Sequence, residues 1–137
     1  MSTAYNDYQD GVRLLGESNP HAAVVALERA REVEPDKGSI RETLGRAYFR
    51  TGRFGLAGEE FAKAVELDPV NDYAHFGLGL CLLRAGEATA ARGHLRLATV
   101  MRPEVDAYRD ALATADDALV EYDAAREQRD APSGDGA

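Results

Sequence analysis

The chain has 137 residues, enough for one domain with a real core and too few for two. Its hydrophobic fraction of 45% is ordinary for a globular protein, and no apolar run approaches the roughly 20 residues that span a bilayer. Residues 1–103 carry 14 acidic and 13 basic side chains and residues 104–137 carry 10 and 3, so the net charge of −8 is concentrated at the end; that balance argues against nucleic acid or an anionic membrane as partners. The polar start, MSTAYNDYQDG, lacks the charged and apolar parts of a secretory signal, so a cytoplasmic location is expected. A lone cysteine, Cys81, cannot form an internal disulfide or build a zinc site by itself.

Apolar spacings of three and four predict helices over 4–16, 20–33, 38–51, 55–67, 72–85, 88–101 and 104–129. Pro20 suits a first helical turn, where its missing N–H is not needed. The stretch Leu44–Pro69 shows the unit most clearly. One apolar face (Leu44, Ala47, Tyr48) runs to a break at Thr51-Gly52, and a second (Leu56, Ala57, Phe61, Ala64, Val65) runs to Asp68-Pro69. Proline disfavours helix in the residue before it and so ends each second helix. The last predicted helix has no glycine to turn it, so it runs on for about 39 Å at 1.5 Å per residue. Residues 130–137, DAPSGDGA, are small and polar, and a disordered tail is expected there.

This unit recurs. Pro35, Pro69 and Pro103 lie 34 residues apart, as do Gly11, Gly45 and Gly79, and Leu14, Tyr48 and Leu82. In the second helices the columns are Ala23, Ala57, Ala91; Leu27, Phe61, Leu95; and Ala30, Ala64, Ala98. Such a period means a stack of supersecondary units. A mid-helix glycine costs roughly 1 kcal/mol relative to alanine. Its repetition at one point implies close approach of a neighbouring helix there.

On these residues the chain resembles the tetratricopeptide repeat family, in three copies over residues 4–103. The second copy matches through Leu44, Gly45, Tyr48, Gly52, Ala57, Phe61, Ala64 and Pro69, and the third through Leu78, Gly79, Leu82, Gly86, Ala91, Leu95, Ala98 and Pro103. The first departs from the pattern: Asp7 and Asp10 replace an aromatic and a leucine, and Ser18 replaces the turn glycine. The resemblance implies an all-α, right-handed α-solenoid forming a single domain over 1–129. Its repeats would cover about 4–37, 38–71 and 72–105, with a capping helix over 104–129.

The resemblance also implies a concave wall lined by the first helix of each pair. The positions projected onto it are Tyr5, Tyr8, Val12 and Leu15; then Ser39, Glu42, Arg46, Phe49 and Arg50; then Tyr73, Phe76, Leu80, Leu83 and Arg84. Aromatics beside arginines are typical of binding hot spots. These aromatics line a ligand groove or are covered by the chain's own last helix or a second copy. A subgroup of the family grips chaperone carboxylate tails with lysines, asparagines and an arginine. The matching positions here are Tyr8, Val12, Thr43, Tyr73 and Gly77, which hold no carboxylate by charge. The expected function is therefore a non-catalytic adaptor whose groove takes an apolar or aromatic peptide or helix of another protein, with an acidic residue for Arg46, Arg50 or Arg84.

In the last helix Val105, Tyr108, Leu112, Ala115, Leu119 and Tyr122 follow heptad spacing. Its first half is expected to cap the third repeat, leaving Leu119 and Tyr122 uncovered. Leu112, Leu119 and Tyr122 are then either a frayed cap or an oligomer or docking contact. The rival functions are a homodimer through this helix or the stack end, and autoregulation by the acidic tail. No cofactor, metal site or catalytic constellation is expected. His21, His75 and His94 are scattered, Cys81 reads as a small core residue, and Glu59-Glu60 and Asp116-Asp117 read as solvated faces because adjacent helical residues diverge.

Overall fold

A computed structural model describes residues 3–131. They form α1 (Ala4–Gly16), α2 (Pro20–Val33), α3 (Gly38–Arg50), α4 (Phe54–Leu67), α5 (Asp72–Arg84), α6 (Ala88–Met101) and α7 (Asp106–Asp130). The described residues are all-α, and six of their seven helices pair as the sequence spacing predicts. Side chains of Thr3, Asn19 and Asn71 cap α1, α2 and α5 by accepting from the N–H groups of Asn6, Ala22 and Ala74. Within each pair the turn is the same. The N–H groups of Asn19, Arg53 and Glu87 donate to the carbonyls of Leu14, Tyr48 and Leu82 at 2.8–2.9 Å. This closure needs a left-handed residue just before, supplied by Gly52 and Gly86 at φ 79° and by Ser18 at φ 58°.

The repeated glycines are where the paired helices meet. A Cβ on Gly11, Gly45 or Gly79 would lie 2.4, 2.9 and 2.6 Å from Leu27, Phe61 and Leu95 respectively. Two columns read separately in the sequence are thus one contact, and the large side chain occupies the space that glycine vacates. Phe61 is held on a second side as well, because Gly77 of α5 would place a Cβ 2.6 Å from its ring.

Successive helices pack on one another, and α1, α3, α5 and α7 also touch in series. Among the described residues α2, α4 and α6 make no such direct contacts. The odd-numbered helices therefore form the tighter, inner wall. The backs of α3, α5 and α7 that pack on the preceding pair are apolar or small: Leu44 and Ala47, Leu78 and Cys81, Leu112 and Ala115. Their counterparts in α1 are Asp10 and Arg13, both exposed, so the stack begins on a solvated face. Its far end closes similarly. Where Tyr48 and Leu82 meet their partner helices, α7 carries Asp116, which accepts from Arg92 at 2.6 Å.

The last helix starts two residues later than predicted, since Val105 is its N-cap. Tyr108, Ala111 and Ala115 are its buried residues, and Leu95 beneath them is fully covered. Leu119 is half-buried, against expectation, because Leu83 and Ala88 wall a cleft beside it; Tyr122 is 57% exposed. Residues 121–130 are helical but exposed throughout. Of the expected disordered tail, Asp130 closes α7 and residues 132–137 lie outside the described residues.

Two polar expectations fail. Glu60 is not on a solvated face: it is 4% exposed and accepts from Arg31 and, at 3.1 Å, from Arg41. A lone carboxylate would not tolerate that burial, and two guanidinium groups from α2 and α3 balance it. The histidines are not all scattered, since Nδ1 of His75 and Nδ1 of His94 lie 3.0 Å apart on stacked rings. His75 Nε2 donates to the Pro69 carbonyl at 2.8 Å, so its Nδ1 accepts from His94. Arg41 and Arg109 bond the carbonyls of Pro35 and Pro103 in the same way. Residues 41, 75 and 109 are one period apart, so each tie locks a prolyl turn to the helix that follows it.

Candidate functional site

The inner wall holds a small pocket where α3 faces α5. Arg46, Phe49 and Arg50 of α3 and Tyr73, Gly77 and Leu80 of α5 enclose a pocket of about 120 Å³, with Phe61 of α4 as its floor. Gly77 lies directly against that floor, since a Cβ there would come 2.6 Å from the Phe61 ring, whose 2% exposure leaves it no room to move. Tyr73 is half-buried 6.3 Å from the Phe61 ring, and burial raises the pKa of its hydroxyl above the ordinary tyrosine range.

Each of the three arginines is already engaged within the chain. The Arg46 guanidinium lies 5.5 Å over the Tyr73 ring. Arg50 Nη1 donates to the Leu15 carbonyl at 2.9 Å, closing the end of α1. Arg84 lies 4.5 Å over Phe54 and 5.9 Å over Phe49, and those two rings meet edge-on at 4.9 Å. A guanidinium has five donors, so these contacts aim the charge without exhausting it. All three side chains remain exposed, Arg46 and Arg50 at the pocket and Arg84 beyond its Phe49 ring.

The remaining projected residues divide. Tyr5, 68% exposed, and half-buried Tyr8 line a second, larger cleft toward the start of the stack; Val12, 42% exposed, stands on the same helix. Leu15 is not on the wall at all: it is buried with Val24 and Leu27, because it sits on the α1 face turned to α2. Phe76, Leu80 and Leu83 are half-buried against the cluster formed with α7, and Tyr108 packs 4.8 Å from the Phe76 ring. Ser39 and Glu42 are half-buried; Glu42 accepts from the Asn71 amide, and desolvation raises the pKa of its carboxyl. At the two inner positions that match the chaperone-tail clamp, Thr43 is buried with its hydroxyl donating to the Ser39 carbonyl, and Gly77 faces Phe61.

Sequence reasoning missed Phe54, the platform under Arg84, and Tyr108 as the cover on Phe76. Phe54 falls at a turn, where spacing assigns no face, and heptad spacing places Tyr108 in the seam of the last helix without naming the ring it meets. Cys81 is buried and desolvation pushes its thiol up to about 11, so it is no nucleophile. Among the described residues no three His, Cys, Asp or Glu converge on a metal site, and no helix is long and apolar enough to cross a membrane.

The model of the family described as Tetratricopeptide repeat matches residues 8–72 and again 43–106. The chain belongs to the tetratricopeptide repeat family. A curated relative is the small glutamine-rich tetratricopeptide repeat-containing protein 2 of Mycosarcoma maydis, 32% identical over 80 residues. That match takes 53% of this chain and 23% of the relative, so the chain spans under a quarter of that protein's length. The first tetratricopeptide repeat domain of Spaghetti (RPAP3), solved with the HSP90 peptide SRMEEVD, superposes with a TM-score of 0.81 at 17% identity. The alignment covers 86% of this chain and 94% of that one. The Sgt2 tetratricopeptide repeat domain of Aspergillus fumigatus gives 0.80 at 18% identity, over 98% and 88% of the two chains. At such identities these structures share the tetratricopeptide repeat fold, the right-handed solenoid expected from the sequence.

Proposed function

We propose that this protein is a non-catalytic interaction module that captures a segment of another protein along the α1–α3–α5 wall. The observation that carries the reading is the pocket between α3 and α5: an aromatic floor and sides, open at the front, lined by exposed Arg46 and Arg50, with exposed Arg84 5.9 Å over its Phe49 ring. An apolar or aromatic side chain suits the pocket, and an acidic neighbour suits the rim. Buried aromatic contacts supply affinity while rim charges set register and on-rate. Peptide capture by the related Spaghetti domain supports the general role.

We infer a different ligand from the chaperone tail that the Spaghetti domain holds. Tyr8, Val12, Thr43, Tyr73 and Gly77 supply no charge at the clamp positions, and Thr43 spends its hydroxyl within α3. A peptide array of aromatic-acidic sequences, followed by affinity measurements, tests both statements. Tyr73→Ala and Arg46→Ala are expected to weaken the best peptide by tenfold or more with little change in melting temperature, and SRMEEVD is expected to bind worse than that peptide. Loss of folding in Tyr73→Ala, or tight binding of SRMEEVD, would overturn the reading. Self-assembly through α7 ranks second: its exposed last ten residues offer one large apolar side chain, Tyr122. Light scattering on the full chain and on 1–115 discriminates, since a change of mass on truncation beyond that of the deleted residues favours the dimer.

A further inference from the structure

The cleft at the start of the wall has a filled counterpart in the same chain. It measures about 410 Å³ and is lined by Tyr5 and Tyr8 of α1, Val33 and Glu34 at the end of α2, and Lys37 and Ile40 at the start of α3. Two periods on, those six positions hold Tyr73, Phe76, Met101, Arg102, Val105 and Tyr108. At that later interface the space is taken. The Tyr108 ring packs 4.8 Å from Phe76, its hydroxyl donates to Asp72 at 2.6 Å, and only 5% of the residue stays exposed. At the first interface Ile40 stands where Tyr108 stands, and Ala4 where Asp72 stands. Ile40 is itself buried there, and among the described residues no aromatic ring covers Tyr8, the half-buried counterpart of Phe76.

We propose that this cleft is an aromatic subsite, occupied by a phenylalanine side chain of the bound partner segment, its ring against Tyr8 as Tyr108 lies against Phe76. The proposal rests on the reading of the wall as a segment-binding groove, since the cleft's Tyr5 and Tyr8 stand on α1 and its Ile40 on α3, two of the helices that form that wall. Phenylalanine is favoured over tyrosine by a specific loss. Ala4 removes the carboxylate that accepts the Tyr108 hydroxyl. A phenol buried there would leave its hydroxyl without the acceptor found at the later interface.

The test is an NMR titration of the full chain with N-acetyl-phenylalaninamide, N-acetyl-tyrosinamide and N-acetyl-leucinamide, reading the Ile40 methyl groups and the Tyr5 and Tyr8 rings. Saturable, weak shifts are expected, with the phenylalanine probe binding several-fold better than the other two. The double variant Ala4→Asp with Ile40→Tyr installs the later interface's own pair and should abolish those shifts while circular dichroism stays helical. If that variant fails to fold, Tyr8→Ala is read instead and should weaken the phenylalanine probe at least fivefold. Absence of saturable shifts at Ile40, equal binding of the tyrosine probe, or undiminished binding to the folded variants would overturn the proposal. So would a nuclear Overhauser contact between the Met1 methyl and Ile40 in the free protein, which would make the occupant the chain's own. Shifts confined to Tyr73 and Leu80 would sink the subsite and leave the groove standing.

Discussion

Gly77→Ala sets two effects of opposite sign against each other. In an exposed helix the change gains about 1 kcal/mol of helix propensity. At Gly77, however, the new Cβ would lie 2.6 Å from Cε1 and Cζ of Phe61. The ring cannot retreat, because Gly45 abuts it with its own Cβ direction 2.9 Å away, and Phe61 is 2% exposed. Overpacking of a filled core costs about 1–3 kcal/mol. The net expectation is destabilisation by roughly 0–2 kcal/mol once propensity is subtracted. Phe61→Leu removes the ring, and in that background Gly77→Ala should become neutral or stabilising. The double-mutant cycle should therefore show a coupling of at least about 1 kcal/mol. Gly93, mid-α6 with nothing within 4 Å of its Cβ direction, is the control, and Gly93→Ala should stabilise by about 1 kcal/mol. Urea unfolding followed by far-UV circular dichroism measures all five proteins. If Gly77→Ala stabilises as much as Gly93→Ala, or the cycle shows no coupling, the packing argument is wrong.

Other consequences follow from single sites. Ser18 holds a left-handed conformation at φ 58° where its two counterparts are glycine, so Ser18→Gly should stabilise by about 0.5–1 kcal/mol in the same urea assay, and a loss of stability would refute the strain. Glu60→Ala strands two partly buried guanidinium groups and should cost roughly 2–4 kcal/mol, discounted from the fully buried case because Arg31 and Arg41 retain some solvent contact; a cost below about 1 kcal/mol would mean water screens the cluster. Burial first, and then His75, lower the pKa of His94 below its ordinary 6.5. The unfolded chain then binds the extra proton, so the contribution is complete above pH 6.5 and is lost as pH falls through the folded value. Wild type should lose more stability than His94→Asn between pH 7.5 and 5, and identical slopes would refute the assignment.

What the sequence determined alone is the frame. A period of 34 residues, kept without insertion, set the number of helices, their pairing and their turns, because each depends on local signals: apolar spacing, a left-handed turn residue, a proline. Even the core contacts were half-legible, since the glycine and large-residue columns had to meet something. Tertiary structure alone decided which surfaces are free. Leu15 looked like a wall residue and is core; Glu60 looked solvated and is buried; His75 and His94, far apart in sequence, share a hydrogen bond. In each case the deciding partner lies on another helix, and helical spacing says nothing about the side chain across the gap. The same holds for the candidate site. Arg46, Phe49 and Tyr73 could be nominated from their positions, but only the packing of Gly77 on Phe61 brings α5 close enough to α3 and α4 for those residues to line one pocket. The open cleft beside Tyr8 stands out only by comparison with the one Tyr108 fills.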